Sequence, residues 1–375
     1  MTRRGADLCR DGQHHTTCKT AHAPTPERES KVNPRIHNTR RRMAAALALA
    51  AGIALVATGC ASAEQGGGAA ADDQIVVGYS GYTLTNPYFA GLVKGLEEGA
   101  EEHDFRLIQT NSNGDNNTQA SDIQNLVSQG ADYIVVSPAD ASAIVPAVEA
   151  AAQAGVTMIA ISDTIDSEAI TFTVAMDHVT IGEQSAQGMV DFLIEKYGEP
   201  RGKVVEMQGI AGSAAGADRT TGFDNVISQY PEIEVVARAD GGFDTDKTFQ
   251  AMSTILQAHP DVDAVMNAND SEAQGATKAI EAAGLFFPVG DPNHIFVTGN
   301  DAPAPAIADI RANRQDMTVA SNPIQLAALV MDNIAALVAG ETVTGFIEWP
   351  GQIITPANID SDEVREYGIW ADEVG

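Results

Sequence analysis

The sequence predicts an α/β fold of two doubly wound parallel-sheet lobes, on three observations. From residue 75 onward, short runs rich in Val and Ile alternate with helical patterns. These runs are continuously apolar rather than alternating, the mark of strands covered on both faces. Ten such runs are many for one open sheet and suit two sheets of five or six. Near 174–177 two strand-like runs meet with no full helix between them, which divides the body into halves of similar build.

Ahead of the first strand lies a segment of a different kind. The chain has 375 residues, with 51 acidic and 22 basic side chains and a net charge of −29. Residues 1–60 hold ten Lys/Arg and four Asp/Glu, net +6, which leaves 12 against 47 in the body, net −35. So acidic a body repels phosphates and argues against nucleic acid as a partner. Residues 1–39 show no hydrophobic periodicity, and Arg40-Arg41-Arg42 then precede the apolar run 44–57 and Thr58-Gly59-Cys60. A basic region, a short apolar core and small residues at the cut make a secretion signal peptide. The apolar run falls short of the ~20 residues of a membrane span. Its end, Ala57-Thr58-Gly59-Cys60, resembles a bacterial lipobox, which implies that Cys60 is lipidated and becomes the mature N-terminus. Residues 61–73, with Gly66-Gly67-Gly68, read as a flexible tether. Nothing in 1–42 has the pattern of a folded element, which leaves Met43 as an alternative start. Cys9 and Cys18 precede the cut, so neither a disulfide nor a Cys-based metal site is expected in the body.

Strands are expected at 75–81, 106–110, 133–137, 157–162 and 170–175 in the first half. The second half adds 203–208, 234–239, 264–268, 295–298 and 317–320. In 87–103, Phe89, Leu92, Val93, Leu96 and Ala100 recur at helical spacing as one apolar stripe. Asn86 is a good N-cap there, and Pro87 occupies the first helical position, where its missing N–H costs nothing. Gly130, Gly155, Gly284 and Gly340 follow helical patterns as stops. Strand–helix–strand alternation brings right-handed crossovers, and ligands of such sheets bind outside the carboxyl ends of the strands.

Polar and aromatic residues collect at those ends. The first half supplies Tyr82, Asn86, Tyr88 and Phe89, then Ser137, then Asp163 and Thr164. The second supplies Arg219, Phe243, Asn269, Asp301 and Ser321. Carboxylates accept from hydroxyls, Arg and Asn donate, and rings cover the apolar C–H face of a sugar, so the set suits a neutral polyhydroxylated ligand. Each residue also has a plainer reading. Asn86 serves equally as a helix cap, Asp163 and Asp301 as turn residues, Phe89 and Phe243 as core, and Arg219 as a surface ion-pair partner. Their coincidence at strand ends is the signal.

The order of these segments resembles a known family. The carrying residues are Asn86-Pro87-Tyr88-Phe89, Gln208-Gly209-Ile210-Ala211-Gly212-Ser213 running to Arg219-Thr220-Thr221-Gly222-Phe223, and Phe243-Asp244. Ala258-His259-Pro260-Asp261-Val262-Asp263, Asn269-Asp270 and Gly299-Asn300-Asp301 complete them. They are similar to the periplasmic sugar-binding proteins of the ribose-binding type, type I periplasmic binding proteins that deliver solute to ABC transporters. The resemblance covers nearly all of 74–375. It implies two lobes joined by a three-stranded hinge and closing over the ligand. Residues 74–175 plus 323–349 would form the N-terminal lobe and 176–322 plus 350–375 the C-terminal lobe, with crossings near 175–177, 320–323 and 349–352. It implies Asn86, Tyr88, Phe89, Asp163, Arg219, Phe243, Asn269 and Asp301 as sugar contacts. Three places depart from the family's ribose binders. Thr164 stands where they have Arg, Tyr82 where they have a small residue, and Ser321-Asn322 where they have a hinge Gln. With one guanidinium fewer and one ring more, the resemblance carries the binding mode further than it carries ribose.

Enzyme chemistry is not expected. No Gly-x-Ser-x-Gly elbow, Walker loop or Gly-x-Gly-x-x-Gly follows a strand, and the glycine-rich stretch 209–216 lacks the Lys of a phosphate cradle. His103, His178, His259 and His294 are scattered without ligand spacing. No catalytic residue, metal or cofactor is therefore expected. The expected function is that of an extracytoplasmic, monomeric solute-binding protein, anchored to the membrane by lipidated Cys60, that captures a neutral monosaccharide or polyol for an ABC permease. A sugar-sensing receptor subunit signalling to a membrane kinase is the alternative, because the same closure would serve both.

Overall fold

A computed structural model describes residues 74–370. The expected signal peptide, Cys60 and tether lie outside the described residues, as do 371–375. The first half runs β1 (Val76–Gly81), α1 (Pro87–Glu102), β2 (Arg106–Asn111), α2 (Asn116–Ser128), β3 (Tyr133–Val136), α3 (Val145–Gln153), β4 (Thr157–Ile161) and β5 (Ile170–Ala175). There follow α4 (His178–Tyr197), β6 (Gly202–Gln208), α5 (Ala214–Ile227), β7 (Ile233–Asp240) and α6 (Thr245–Ala258). Next come β8 (Ala264–Asn267), α7 (Asp270–Ala282), β9 (Phe296–Asp301), α8 (Ala304–Arg311) and β10 (Met317–Ala320). The chain closes with α9 (Pro323–Val338), β11 (Gly345–Glu348), β12 (Gln352–Ile354) and α10 (Asp362–Tyr367).

Two six-stranded sheets result, in the orders β11-β5-β4-β3-β1-β2 and β12-β10-β9-β8-β6-β7. Pairing is parallel within both, except that β12 runs antiparallel to β10. The α/β class with two parallel-sheet lobes is as expected, and all ten expected strands are present within three residues of their expected ends. Two strands, β11 and β12, are additional. The chain passes between the sheets three times, at 175–178, 320–323 and 348–352. The second passage returns α9 to pack on α1 and β5, and β11 then pairs with β5.

Helix α1 shows how local sequence becomes packing. The Asn86 side chain accepts from the Tyr88 amide at 2.9 Å, so the first turn is capped as its sequence requires. The expected stripe turns Leu92, Leu96 and Ala100 inward against Tyr79 of β1 and Leu326, Val330 and Ile334 of α9, with Phe89 and Val93 on its flank. Each fully buried aliphatic side chain is worth about 1.5–3 kcal/mol. Val77, Val135 and Ile159 face that layer, while their neighbours Val76, Ile134 and Met158 face α2 and α3. The second sheet is covered likewise, with Val204 and Met266 toward α4 and α5 and Val205 and Val265 toward α6 and α7. Covering both faces is what makes the strands read as unbroken apolar runs. Among the described residues, no helix is long and apolar enough to cross a membrane.

Candidate functional site

The carboxyl ends of both sheets face one cavity of about 500 Å³, counting the space open at its mouth. From the first lobe it is lined by Tyr82, Asn86, Tyr88 and Phe89, which follow β1, by Ser137, Pro138 and Ala139 after β3, and by Ser162 and Asp163 after β4. From the second lobe come Ile210, Ser213, Ala215 and Arg219, then Phe243, Asn269 and Asp301. Ten of the twelve expected positions therefore meet here: Tyr82, Asn86, Tyr88, Phe89, Ser137, Asp163, Arg219, Phe243, Asn269 and Asp301.

The other two do not. Thr164 is exposed, in irregular backbone past the end of β4, and does not line the cavity. Ser321 is buried but faces the hinge crossing, where its carbonyl accepts the Trp349 indole N–H at 2.5 Å. Its hydroxyl has no partner.

Arg219 is the cation of the wall, buried on α5. Glycines bring that helix against α4. A Cβ on Gly182 would stand 2.2 Å from the Arg219 carbonyl oxygen, and one on Gly222 would stand 2.1 Å from that of Val179. Nη1 donates to the Ala268 carbonyl at 2.7 Å, and Nη2 lies 3.4 Å from His178 Nδ1 and 4.0 Å from Asp301 Oδ1. His178 Nε2 donates to the Ser162 carbonyl at 2.8 Å. The histidine thus faces one acceptor and one donor, which requires the neutral ring with its proton on Nε2. Burial and then the Arg219 charge push it down to about 3, so it stays neutral at ordinary pH.

The carboxylates show the opposite perturbation. Burial drives Asp163 up to about 7 against the pull of Arg219 and Ser213, and drives Asp301 up to about 6 against Arg219. Asp163 crosses between the lobes. Its Oδ2 accepts from the Ser213 hydroxyl at 3.3 Å, at the N-terminus of α5, while its Oδ1 is buried without a partner. Asp301 accepts from Asn300 at 2.8 Å and from Asn269 at 3.5 Å. An unpartnered carboxylate oxygen on a cavity wall is an acceptor awaiting a donor, and a hydroxyl supplies one.

Aromatic rings form the remaining walls. Phe89 meets Tyr82 and Tyr88 edge-on, at centroid distances of 5.2 and 5.3 Å. Opposite them, the Phe243 ring lies 6.0 Å from the Arg219 guanidinium carbon. Phe243 has φ +55°, and its amide donates to Glu272 Oε1 at 2.8 Å. The ring leaves no room beside it, since a Cβ on Gly209 would fall 2.4 Å away.

Sequence reasoning missed three supports. Glu272 is fully buried, bonds the amides of Phe243 and Ala268, and is raised by burial to about 8. Only its place three residues after the cap Asn269 hinted at it. His178 had no signal beyond its type. Ser213 could have been found as the N-cap of α5, since its hydroxyl accepts from the Gly216 amide. Among the described residues, no group of three or more His, Cys, Asp or Glu is placed to hold a metal ion.

Residues 77–342 match the periplasmic binding protein domain family. A ribose import binding protein of Bacillus subtilis (strain 168) is 33% identical over 282 residues, 75% of this chain and 88% of that protein. A xylitol-binding protein of Mycolicibacterium smegmatis is 30% identical over 240 residues, 64% of this chain and 66% of its own. A solved ABC transporter solute-binding protein of Bacillus halodurans C-125, with bound myo-inositol, superposes with a TM-score of 0.70. It has 26% identity, covering 79% of this chain and 97% of that one.

Proposed function

We propose, from the premise that this chain belongs to the periplasmic binding protein domain family in its ribose-binding branch, that it captures a neutral monosaccharide or polyol by hinge closure and hands it to an ABC importer. The observation that carries the reading is the cavity itself, walled by both lobes and mixing unsatisfied carboxylate, guanidinium and aromatic faces. The xylitol and myo-inositol named for two similar proteins support a polyol as well as a ring sugar.

In this mechanism each lobe holds half of the contacts. Asp163 and Asp301 accept hydroxyl protons, Arg219 and Asn269 donate to ligand oxygens, and Phe89 and Phe243 cover the C–H faces. A ligand in the cleft bridges the lobes, so the closed state gains contacts that the open state lacks. In this reading the three passages between the sheets act as the hinge that separates the two lobes. Lipidation of Cys60, anchoring outside the cytoplasm, a monomeric state and docking on a permease belong to the same proposal.

Calorimetric titration against pentoses, hexoses and polyols is expected to reveal one site of micromolar or tighter affinity. Silence across that panel would sink the reading. Deletion of the gene should also abolish initial uptake of the bound solute, whereas a pure sensor would leave the rate intact.

A further inference from the structure

The segment after α10 has had no part in the site so far, yet Trp370 bonds the backbone of a residue that lines the cavity. This indole is 1% exposed, and its N–H donates to the backbone carbonyl of Asp301 at 2.7 Å. Asp301 has φ +106° and Ala302 φ +61°, a left-handed stretch that residues with a Cβ adopt only where neighbours hold it. Two holds are visible. On one side Asp270 accepts from the Ala302 amide at 2.7 Å and is fixed in turn by Gln315 at 2.6 Å and Thr318 at 2.7 Å. On the other side the Trp370 indole takes the Asp301 carbonyl.

The same ring touches the opposite lobe. A Cβ on Gly91 of α1 would come within 3.3 Å of the Trp370 ring, beside Pro323 at the start of α9. The rest of the tail packs on the second lobe, where Ile359 and Val364 join Ile307, Ile310 and Ile354. Trp370 therefore stands between a site residue of one lobe and a helix of the other.

We propose that Trp370 is a positioning residue of the ligand cavity: it holds the left-handed turn that presents the Asp301 carboxylate, and its ring straps the closed cleft to α1. The inference rests on the cavity being the ligand site. Without the indole N–H, the Asp301 carbonyl is left without its donor and the turn loses one of two holds. Opening the cleft pulls the ring from Gly91, so the strap acts on ligand escape rather than entry.

Trp370→Phe keeps a ring and removes the N–H, while a chain ending at Ile369 removes both. In the unliganded proteins, amide hydrogen exchange of a peptide covering 296–303 is expected to quicken about tenfold in Trp370→Phe, with β1 and α1 unchanged. D-ribose, xylitol and myo-inositol serve as binding probes. The variant should bind them roughly tenfold more weakly, with the loss in koff and kon within about twofold of the parent. The truncated chain should lose more. Exchange or affinity within about twofold of the parent overturns the proposal. So does a lower Tm with exchange and affinity unchanged, which marks the indole as core filling alone. If no probe binds the parent, the wider panel decides the sugar reading, and the exchange measurement alone decides whether Trp370 holds Asp301.

Discussion

Asp163 gives the sharpest handle on closure, because its carboxylate is buried between the lobes with one oxygen unpartnered. Burial raises it from 3.8 to about 7, so keeping it ionised in the closed cleft costs about 4 kcal/mol. The closed state binds the extra proton. Asp163 therefore costs closure nothing below 3.8, and its cost grows to the full amount as pH rises through about 7. Asp163→Asn removes the charge, keeps an acceptor for Ser213 and leaves one amide donor unpaired, which returns about 1–3 kcal/mol. At pH 8 the unliganded variant should favour the closed form by about 1–3 kcal/mol over the parent. Small-angle scattering at pH 8, 6 and 4 reads this as a smaller radius of gyration for the variant at pH 8, a difference lost or reversed at pH 4, where the parent carboxyl is protonated and the variant's amide cost remains. Ligand affinity should fall about ten- to hundredfold, because a charge-assisted hydrogen bond to a hydroxyl is lost. Equal radii at pH 8, or a variant still smaller than the parent at pH 4, would refute the reasoning.

Other expectations follow from neighbouring contacts. Arg219→Ala leaves the Ala268 carbonyl and the Asp301 carboxylate without their cation. Breaking such a buried pair costs about 3–5 kcal/mol, so calorimetry should show at least about a hundredfold loss of affinity with the circular dichroism spectrum retained. Gly209→Ala puts a methyl group 2.4 Å from the Phe243 ring, and ligand affinity should drop with that ring displaced, while survival of full affinity would remove Phe243 from the site. His294 faces two acceptors, the Phe287 carbonyl at 2.6 Å and Asp316 at 2.8 Å, so it is held as imidazolium. Burial opposes that charge, but Asp316 outweighs it and raises the ring's pKa above 6.5. Its stabilisation is full below 6.5 and is lost as pH rises through the folded value. In urea titrations, His294→Asn should cost most at pH 6 and least at pH 9.

Much of this was legible in the sequence, for definite reasons. Strands covered on both faces print their burial as continuous apolar runs, which the residue order shows for most of β1 to β10, while the edge strands β2 and β7 are partly exposed and were placed by their position between helical patterns. Strands β11 and β12 could not. Gly345–Glu348 is largely exposed and Gln352–Ile354 has three residues, and both exist only because β5 and β10 offer edges to pair with. The cavity was legible because parallel strands deliver their carboxyl ends to one side. What the residue order hides is which way a side chain turns, hence Thr164 on the outside and Ser321 at the hinge. It also hides partners brought from afar. Glu272 holds the Phe243 amide and His178 the Ser162 carbonyl, 29 and 16 positions away, which no local pattern announces.

The interleaving of the lobes has a consequence for how the chain reaches this state. Helix α9, whose Leu326, Val330 and Ile334 cover Leu92 and Leu96, follows five of the six strands of the second sheet in the chain. A fragment ending at β5 would keep α1 but leave its apolar stripe, and the part of the sheet that α9 covers, exposed, so the first lobe cannot mature on its own. Contacts of such sequence separation close slowly and expose apolar surface while they wait. Refolding should therefore proceed through an intermediate with the second lobe packed and α1 uncovered, and the yield should improve on dilution.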